Sequence, residues 1–403
     1  MRLRPAVAVQ GLFVLFGVVI AAFFPFFTLF LRERGLDPTK IGTVIAVMAV
    51  ARIGTNPVWG HLADVRLGRR TVLQITTLAS SAAALLLFAL GNSFGTLVAI
   101  AALFAAAAGT LGPNVDAIAL AHLGDERLHR YGFIRAWESL SYAIATVLLG
   151  VILTETRVEY TVPIYACAAL LVLAWSFTLA KDPPHAAEEH GRLGAVGSVF
   201  REAPRFAGYL AAMLLVWVGF AAAWNFLALR IEDQGGTPRL VGLGLALGGA
   251  AEVPVMLLSS RMMRRFGLRA VYVAGTLVYA TGFMVWGLIS SPLLISLASV
   301  FEGLGFGLLF TSGVVIVGKL VPEKIYSTGQ SVASTVGFGL GPIIGGLVGG
   351  FLYGHFGSVT TYVTASALAF TGAVLAYVAL NMPAFTTPEA VEVQHEGAPP
   401  PVV

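Results

Sequence analysis

Asp116 and Arg135 each interrupt a long apolar run, one on either side of the short charged turn LGDERLHR. The midpoint between them falls between Asp125 and Glu126, so two helices running antiparallel from this turn carry the carboxylate and the guanidinium to about the same depth. A charge near the centre of a membrane helix costs at least roughly 2.5–3.5 kcal/mol, so such residues face a protein interior or a water-filled cavity and have a role there. Arg135, Glu138, Ser139 and Tyr142 share one helical face, at spacings of three, four and seven residues. Gly109, Gly112, Pro113 and Asp116 share another. A small-residue face with one carboxylate thus stands opposite a face offering a guanidinium, a hydroxyl and an aromatic ring. The chemistry this permits is recognition, because an arginine–carboxylate pair can be shared with the hydroxyls or the carboxylate of a polar solute.

Arg52, Glu252 and Glu302 are also set inside apolar runs. Glu252 and Glu302 are the candidates for a proton carrier, since a carboxyl in a membrane interior can bind and release a proton as its access to water alternates. The other reading makes each a permanent structural partner of an arginine or a cap on a broken helix. Arg52 reads equally as a structural counter-ion or as a solute contact. Trp217, Phe220 and Trp224 recur at helical spacing with Asn225 beside them. They form either an aromatic wall for a ring-bearing solute or lipid-facing packing, the commoner use of such a stripe. The seven histidines sit at helix ends, in loops or in the tail without metal-ligand spacing, so no metal and no cofactor is expected. No HExxH or paired-histidine motif occurs, so the chain does not read as an enzyme. A receptor would more naturally carry a large soluble domain, and the longest loop is too short for one.

The elements that must position these residues are membrane helices. The chain has 403 residues, 57% of them hydrophobic and only 11% charged, with a mean hydropathy of +0.84. No soluble domain of this size approaches those values. Runs long enough to cross a roughly 30 Å hydrocarbon core recur twelve times. The first, after MRLR, is too long for a signal-peptide core and reads as span 1. The longest connection, between spans 6 and 7, is polar, contains Pro183 and Pro184, and divides the chain into six spans plus six. The reading is an all-α membrane protein with an N-terminal six-helix bundle at 1–180, a linker at 181–205, a second bundle at 206–380 and a disordered tail at 381–403. Cys167, the single cysteine, permits no intrachain disulfide and reads as a small packed hydrophobe.

Alternate loops differ in basic residues. One set holds eighteen, and the other holds six, Arg32, Arg34, Lys40, Arg157, Arg230 and Arg239. By the positive-inside rule this places both termini and the linker in the cytoplasm of a cell (inner) membrane. The formal charge of +4 reflects that topology and does not point to nucleic acid. The halves repeat each other weakly, for span 2 closes on GHLADVRLGRR and span 8 on LLSSRMMRRFGLR, each with a glycine in the turn, Gly68 and Gly267. Arg52 precedes Gly68 by 16 residues and Glu252 precedes Gly267 by 15, which become equal if Val65 is an insertion. Two repeated halves are the sequence sign of a transporter with its site near the midplane between them.

GHLADVRLGRR, Gly60 to Arg70, resembles the signature between helices 2 and 3 of the major facilitator superfamily, although Val65 is one residue more than that pattern allows. In that signature Asp64 can cap and Arg69 and Arg70 hold the cytoplasmic side. FFPFFTLFL at Phe23 to Leu31, PNVDA at Pro113 to Ala117, YGFIRAWES at Tyr131 to Ser139 and GLRAVYVAGTL at Gly267 to Leu277 resemble, in order, the group of lactose permease and the related phenylpropionate and nucleoside permeases. The resemblance implies substrate-binding roles for Asp116 and Arg135 and a stacking role for Tyr142. It places Thr281 where that permease has an arginine, and near Glu302 this chain has no histidine. Gly337, Gly341, Pro342, Gly345 and Gly346 reproduce a spacing associated with proton antiporters, but on span 11 rather than span 5, where it reads as a close packing face that permits rocking.

These features lead to a monomeric, proton-coupled symporter of a small organic solute, an oligosaccharide, nucleoside or aromatic acid, working by alternating access. A proton-coupled efflux antiporter is the alternative. Expected substrate contacts are Asp116, Arg135, Ser139, Tyr142, Trp224 and Asn225. The proton falls to Glu252 or Glu302, and charge pairing or gating to Arg52, Glu138, Asp64, Arg69 and Arg70.

Overall fold

The computed structural model describes residues 5–123, 127–180, 194–382 and 385. The turn at Asp125, residues 181–193 of the linker and nearly all of the tail, expected to be disordered, lie outside the described residues.

Every described element is a helix, as hydrocarbon demands of a backbone that must satisfy its own polar groups. Eleven spans are long and apolar enough to cross a membrane, and the last, Glu323–Ala379, is 57 residues long. Gly357 breaks it with a non-helical φ of 83° and ψ of 171°, so it forms two crossings and the total is twelve. Spans 1, 4, 7 and 10 are each built from two helices: Pro5–Phe23 and Phe27–Glu33, Phe94–Ala108 and Leu111–Leu123, Pro204–Trp224 and Leu227–Asp233, Pro292–Leu297 and Ser299–Leu320. In span 1 the break surrounds Pro25, which has no amide hydrogen to donate. Every third span is therefore interrupted, in both halves alike.

Val65 is accommodated locally. Leu62–Leu67 winds as a π-helix at the end of span 2, the usual way in which a helix takes up one additional residue. Span 8, Pro238–Phe266, has no such turn. Gly68 and Gly267 then take the same left-handed φ of 80°, which a side chain would strain. The two halves thus make the same turn after Arg52 and after Glu252, despite the one-residue difference in length.

Spans 1–6 and spans 7–12 pack as two bundles that meet mainly through span 2 against span 11 and span 5 against span 8. The closest approaches lie at the end remote from the linker. A Cβ on Gly42 would overlap the Gly346 carbonyl, and one on Gly242 would overlap the Thr146 carbonyl. Arg32, at the same end of the first half, contacts Glu232 at 2.9 Å and Asp233 at 2.5 Å in the second. Cys167, expected to pack inside, is exposed on span 6. Its small side chain faces outward from a helix whose opposite face, with Tyr165, Ala169 and Val172, supplies the packing.

Inside the second bundle, spans 8 and 10 touch through backbone, with Gly303 against the Gly248 carbonyl. Gly95 has open space around its missing Cβ. Gly303→Ala should therefore lower stability by roughly 1–3 kcal/mol through overpacking, while Gly95→Ala should not. Thermal unfolding of the two purified variants checks this, and equal melting temperatures would contradict the close contact.

Candidate functional site

A cavity of about 690 Å³ lies between the bundles, within the range of about 300–1,000 Å³ usual for small-molecule sites. Its walls are mostly apolar, with an aromatic cluster from each half. Phe23 stacks on Phe27 and Phe104, with centroids 4.3 and 4.2 Å away, and Tyr165 meets both Phe23 and Phe104 edge-on. From the other half, Trp217 packs against Phe338 at 4.6 Å and against Phe220 at 5.4 Å, and Phe220 stacks on Trp224. Trp217, Phe220 and Trp224 thus line the cavity together with Asn225, and the lipid-facing reading of this stripe is corrected. Three of the four helix breaks border the same space, at Phe24 and Pro25, at Gly109 and at Asn225. An interrupted helix is tolerated at membrane depth where it lines a cavity. Pro25 was the readable signal for the first break. Gly109 and Asn225 offer no comparable sequence mark.

Arg135 and Asp116 form an ion pair at the cavity wall, one guanidinium nitrogen lying 3.1 Å from both carboxylate oxygens. Their side chains remain 44% and 31% exposed, so the pair is accessible to a solute. It joins spans 4 and 5 of one bundle and does not bridge the two. Glu138, one turn after Arg135, lines the same cavity and lies within electrostatic reach of both members of the pair. Arg52 does bridge the halves, donating from Nη2 to the Phe338 carbonyl at 2.7 Å. That carbonyl belongs to the π-helical stretch Thr335–Leu340 of span 11, an irregularity that sequence periodicity does not reveal. The stem of Arg52 crosses Gly109 so closely that a Cβ there would overlap it. Asn225 donates its amide to the Ala221 carbonyl at 2.7 Å.

Other expected residues stand elsewhere. Ser139 is exposed and Tyr142 half-buried, and neither lines the cavity. Helical spacing puts both near the face of Arg135, but Ser139 is rotated about 40° from it and Tyr142 lies about two turns further along the helix. Tyr142 instead packs at the edge of the core, within electrostatic reach of Glu302 and Glu252. Glu252 and Glu302 also lie outside the cavity lining. They form a second cluster on spans 8 and 10, where Glu302 rests against Gly248 and each carboxyl is within electrostatic reach of the other. Glu252 in turn lies within reach of Arg135 across the bundle interface. Tyr279, on span 9, is in reach of both acids, and its buried hydroxyl has no hydrogen-bond partner among the described residues. Thr281 is exposed and donates to its own helix at the Leu277 carbonyl.

The signature residues brace one bundle internally. Arg69 bonds Asp64 at 3.2 Å and the Ala117 carbonyl at 3.4 Å, and Arg70 bonds the Leu179 carbonyl at 2.8 Å. The span 11 glycines pack closely, Gly341 and Gly345 on span 7 and Gly346 on span 2. Among the described residues no group of histidine, cysteine and carboxylate side chains is arranged to hold a metal ion.

Comparison with known proteins agrees with this architecture. The chain is 28% identical to a maltose permease of Geobacillus stearothermophilus over 86% of its own length and 88% of the relative's. It is 26% identical to a probable 3-phenylpropionic acid transporter of Escherichia coli (strain K12) over 85% and 90%. Among solved structures it resembles the nucleoside transporter NupG, with a TM-score of 0.81, 16% identity and coverage of 94% of this chain and 98% of that one. The MFS_1 like family model matches residues 8–364, most of the sequence. The chain therefore belongs to the MFS_1 like family, and it is a multi-pass membrane transporter of the major facilitator kind rather than an enzyme.

Proposed function

We propose that this transporter is a proton symporter that imports a small ring-bearing organic solute by alternating access. The observation that carries the reading is the separation of two polar systems. An aromatic cavity contains the Asp116–Arg135 pair, and behind it lies the Glu252–Glu302 cluster, tied electrostatically to the same Arg135. A solute at the pair and a proton at the cluster can then influence one another through a single guanidinium. The aromatic faces suit an oligosaccharide, a nucleoside or an aromatic acid, and a relative named as a maltose permease supports the first of these. With both termini in the cytoplasm, the cavity is open inward and closed outward by spans 2, 5, 8 and 11.

Orientation is tested by reporter fusions active only in the cytoplasm. Activity is expected at Pro184 and Val403 and not at Ser291, and activity at Ser291 reverses the topology.

Binding is tested at the pair. A partly exposed ion pair contributes about 0–1 kcal/mol to stability, so Asp116→Asn and Arg135→Ala should fold with nearly unchanged melting temperatures. Each should weaken solute binding by about tenfold or more, the loss expected for a charged hydrogen-bond partner. Unchanged affinity in both variants would remove the pair from the substrate site.

Coupling is tested in proteoliposomes. Replacing the true carrier in Glu252→Gln or Glu302→Gln should abolish accumulation driven by an inward proton gradient while leaving solute exchange intact. If both variants still accumulate solute, neither acid carries the proton. Solute moving out against an inward proton flux would establish efflux instead.

A further inference from the structure

The charged groups of the cavity are not equally engaged. Asp116 and Arg135 pair with each other, and Arg52 gives a hydrogen bond to the Phe338 carbonyl. Glu138 lines the same space on the turn after Arg135, yet its carboxylate has no hydrogen bond or ion pair among the described residues. It is firmly placed. Its backbone carbonyl accepts the Ser141 hydroxyl at 2.9 Å, and span 1 presses Gly17 against this turn so tightly that a Cβ on Gly17 would lie 2.5 Å from that carbonyl. A half-buried carboxylate with unused acceptor sites, carried on a closely packed backbone, therefore lines the void.

We infer that Glu138 determines the class of solute, accepting hydrogen bonds from two neighbouring hydroxyls of a neutral polyol ring and excluding solutes that carry a carboxylate. The inference rests on the cavity being the solute site, as proposed above. A carboxylate offers two oxygens and about four acceptor positions, which suits a vicinal diol. Arg135 cannot readily serve an incoming anion as well, because its charge already answers Asp116 and its surroundings include Glu138. A like charge placed against Glu138 is repelled, and exclusion of wrong ligands by unpaired charge is an effective source of specificity. Saccharides and nucleosides both carry the diol, whereas aromatic acids do not.

Equilibrium binding to the purified full-length protein tests this with four probes: maltose, uridine, 3-phenylpropionate and its neutral counterpart 3-phenylpropanol. The wild-type protein should bind at least one of the two polyols and should bind 3-phenylpropanol more tightly than 3-phenylpropionate. Glu138→Gln keeps the shape, and should weaken polyol binding by about tenfold or more while raising the affinity for 3-phenylpropionate relative to 3-phenylpropanol. Glu138→Asp should retain the discrimination against the carboxylate. A residue with only a structural role would not alter that ratio. The inference is overturned if wild-type protein binds neither polyol, if it prefers the carboxylate to the alcohol, or if Glu138→Gln leaves polyol affinity unchanged. Binding is read without any gradient, so a failure of symport in proteoliposomes leaves this result standing, and the two readings fail separately.

Discussion

Close backbone contact between the two bundles at one end is the constraint on which the rest of the architecture depends. Glycines at Gly42, Gly346 and Gly350, and again at Gly150 and Gly242, let span 2 meet span 11 and span 5 meet span 8 with almost no side chain between them. In a bilayer, where lipid is as apolar as leucine, such approaches are stabilised by packing and interhelical polar contacts rather than by hydrophobic burial. The Arg32 pairs with Glu232 and Asp233 add a polar clasp at that end. The closest backbone approaches lie at that end, and the cavity is the space left between the bundles beyond them.

Interrupted helices then make that space useful. Spans 1 and 4 from one half and span 7 from the other bend or break where they border the cavity, and the π-helical stretch of span 11 presents the Phe338 carbonyl to Arg52. Continuous helices would offer the void only side chains. The interruptions also give the bundles places to bend. Arg52 is the charged contact nearest the cavity that spans the bundle interface, and any separation of span 2 from span 11 there must release its hydrogen bond.

The electrostatic arrangement centres on Arg135. Asp116 holds it by direct contact, Glu138 neighbours it on its own helix, and Glu252 approaches it from the other bundle. Three acids around one guanidinium allow a change at one of them to be felt by the others, without any side chain having to span the distance between the solute cavity and the Glu252–Glu302 cluster.

The sequence by itself determined the twelve crossings, the two halves and the pairing of Asp116 with Arg135. These follow from local quantities: the length of an apolar run, the cost of a lone membrane charge, and equal distances from a turn. It also flagged Val65 as a surplus residue, which the π-helix absorbs. Only the tertiary structure decided which face of each helix meets the cavity. Trp217, Phe220 and Trp224 could as well have faced lipid, because an apolar stripe in a membrane protein has no aqueous side to mark its direction. Tyr142 and Ser139 share a helical face with Arg135 in projection, yet neither lines the void. Glu252 and Glu302 lie far apart in sequence and are brought together by the glycine contact between Gly248 and Gly303, a close approach between two helices that neither span reveals alone.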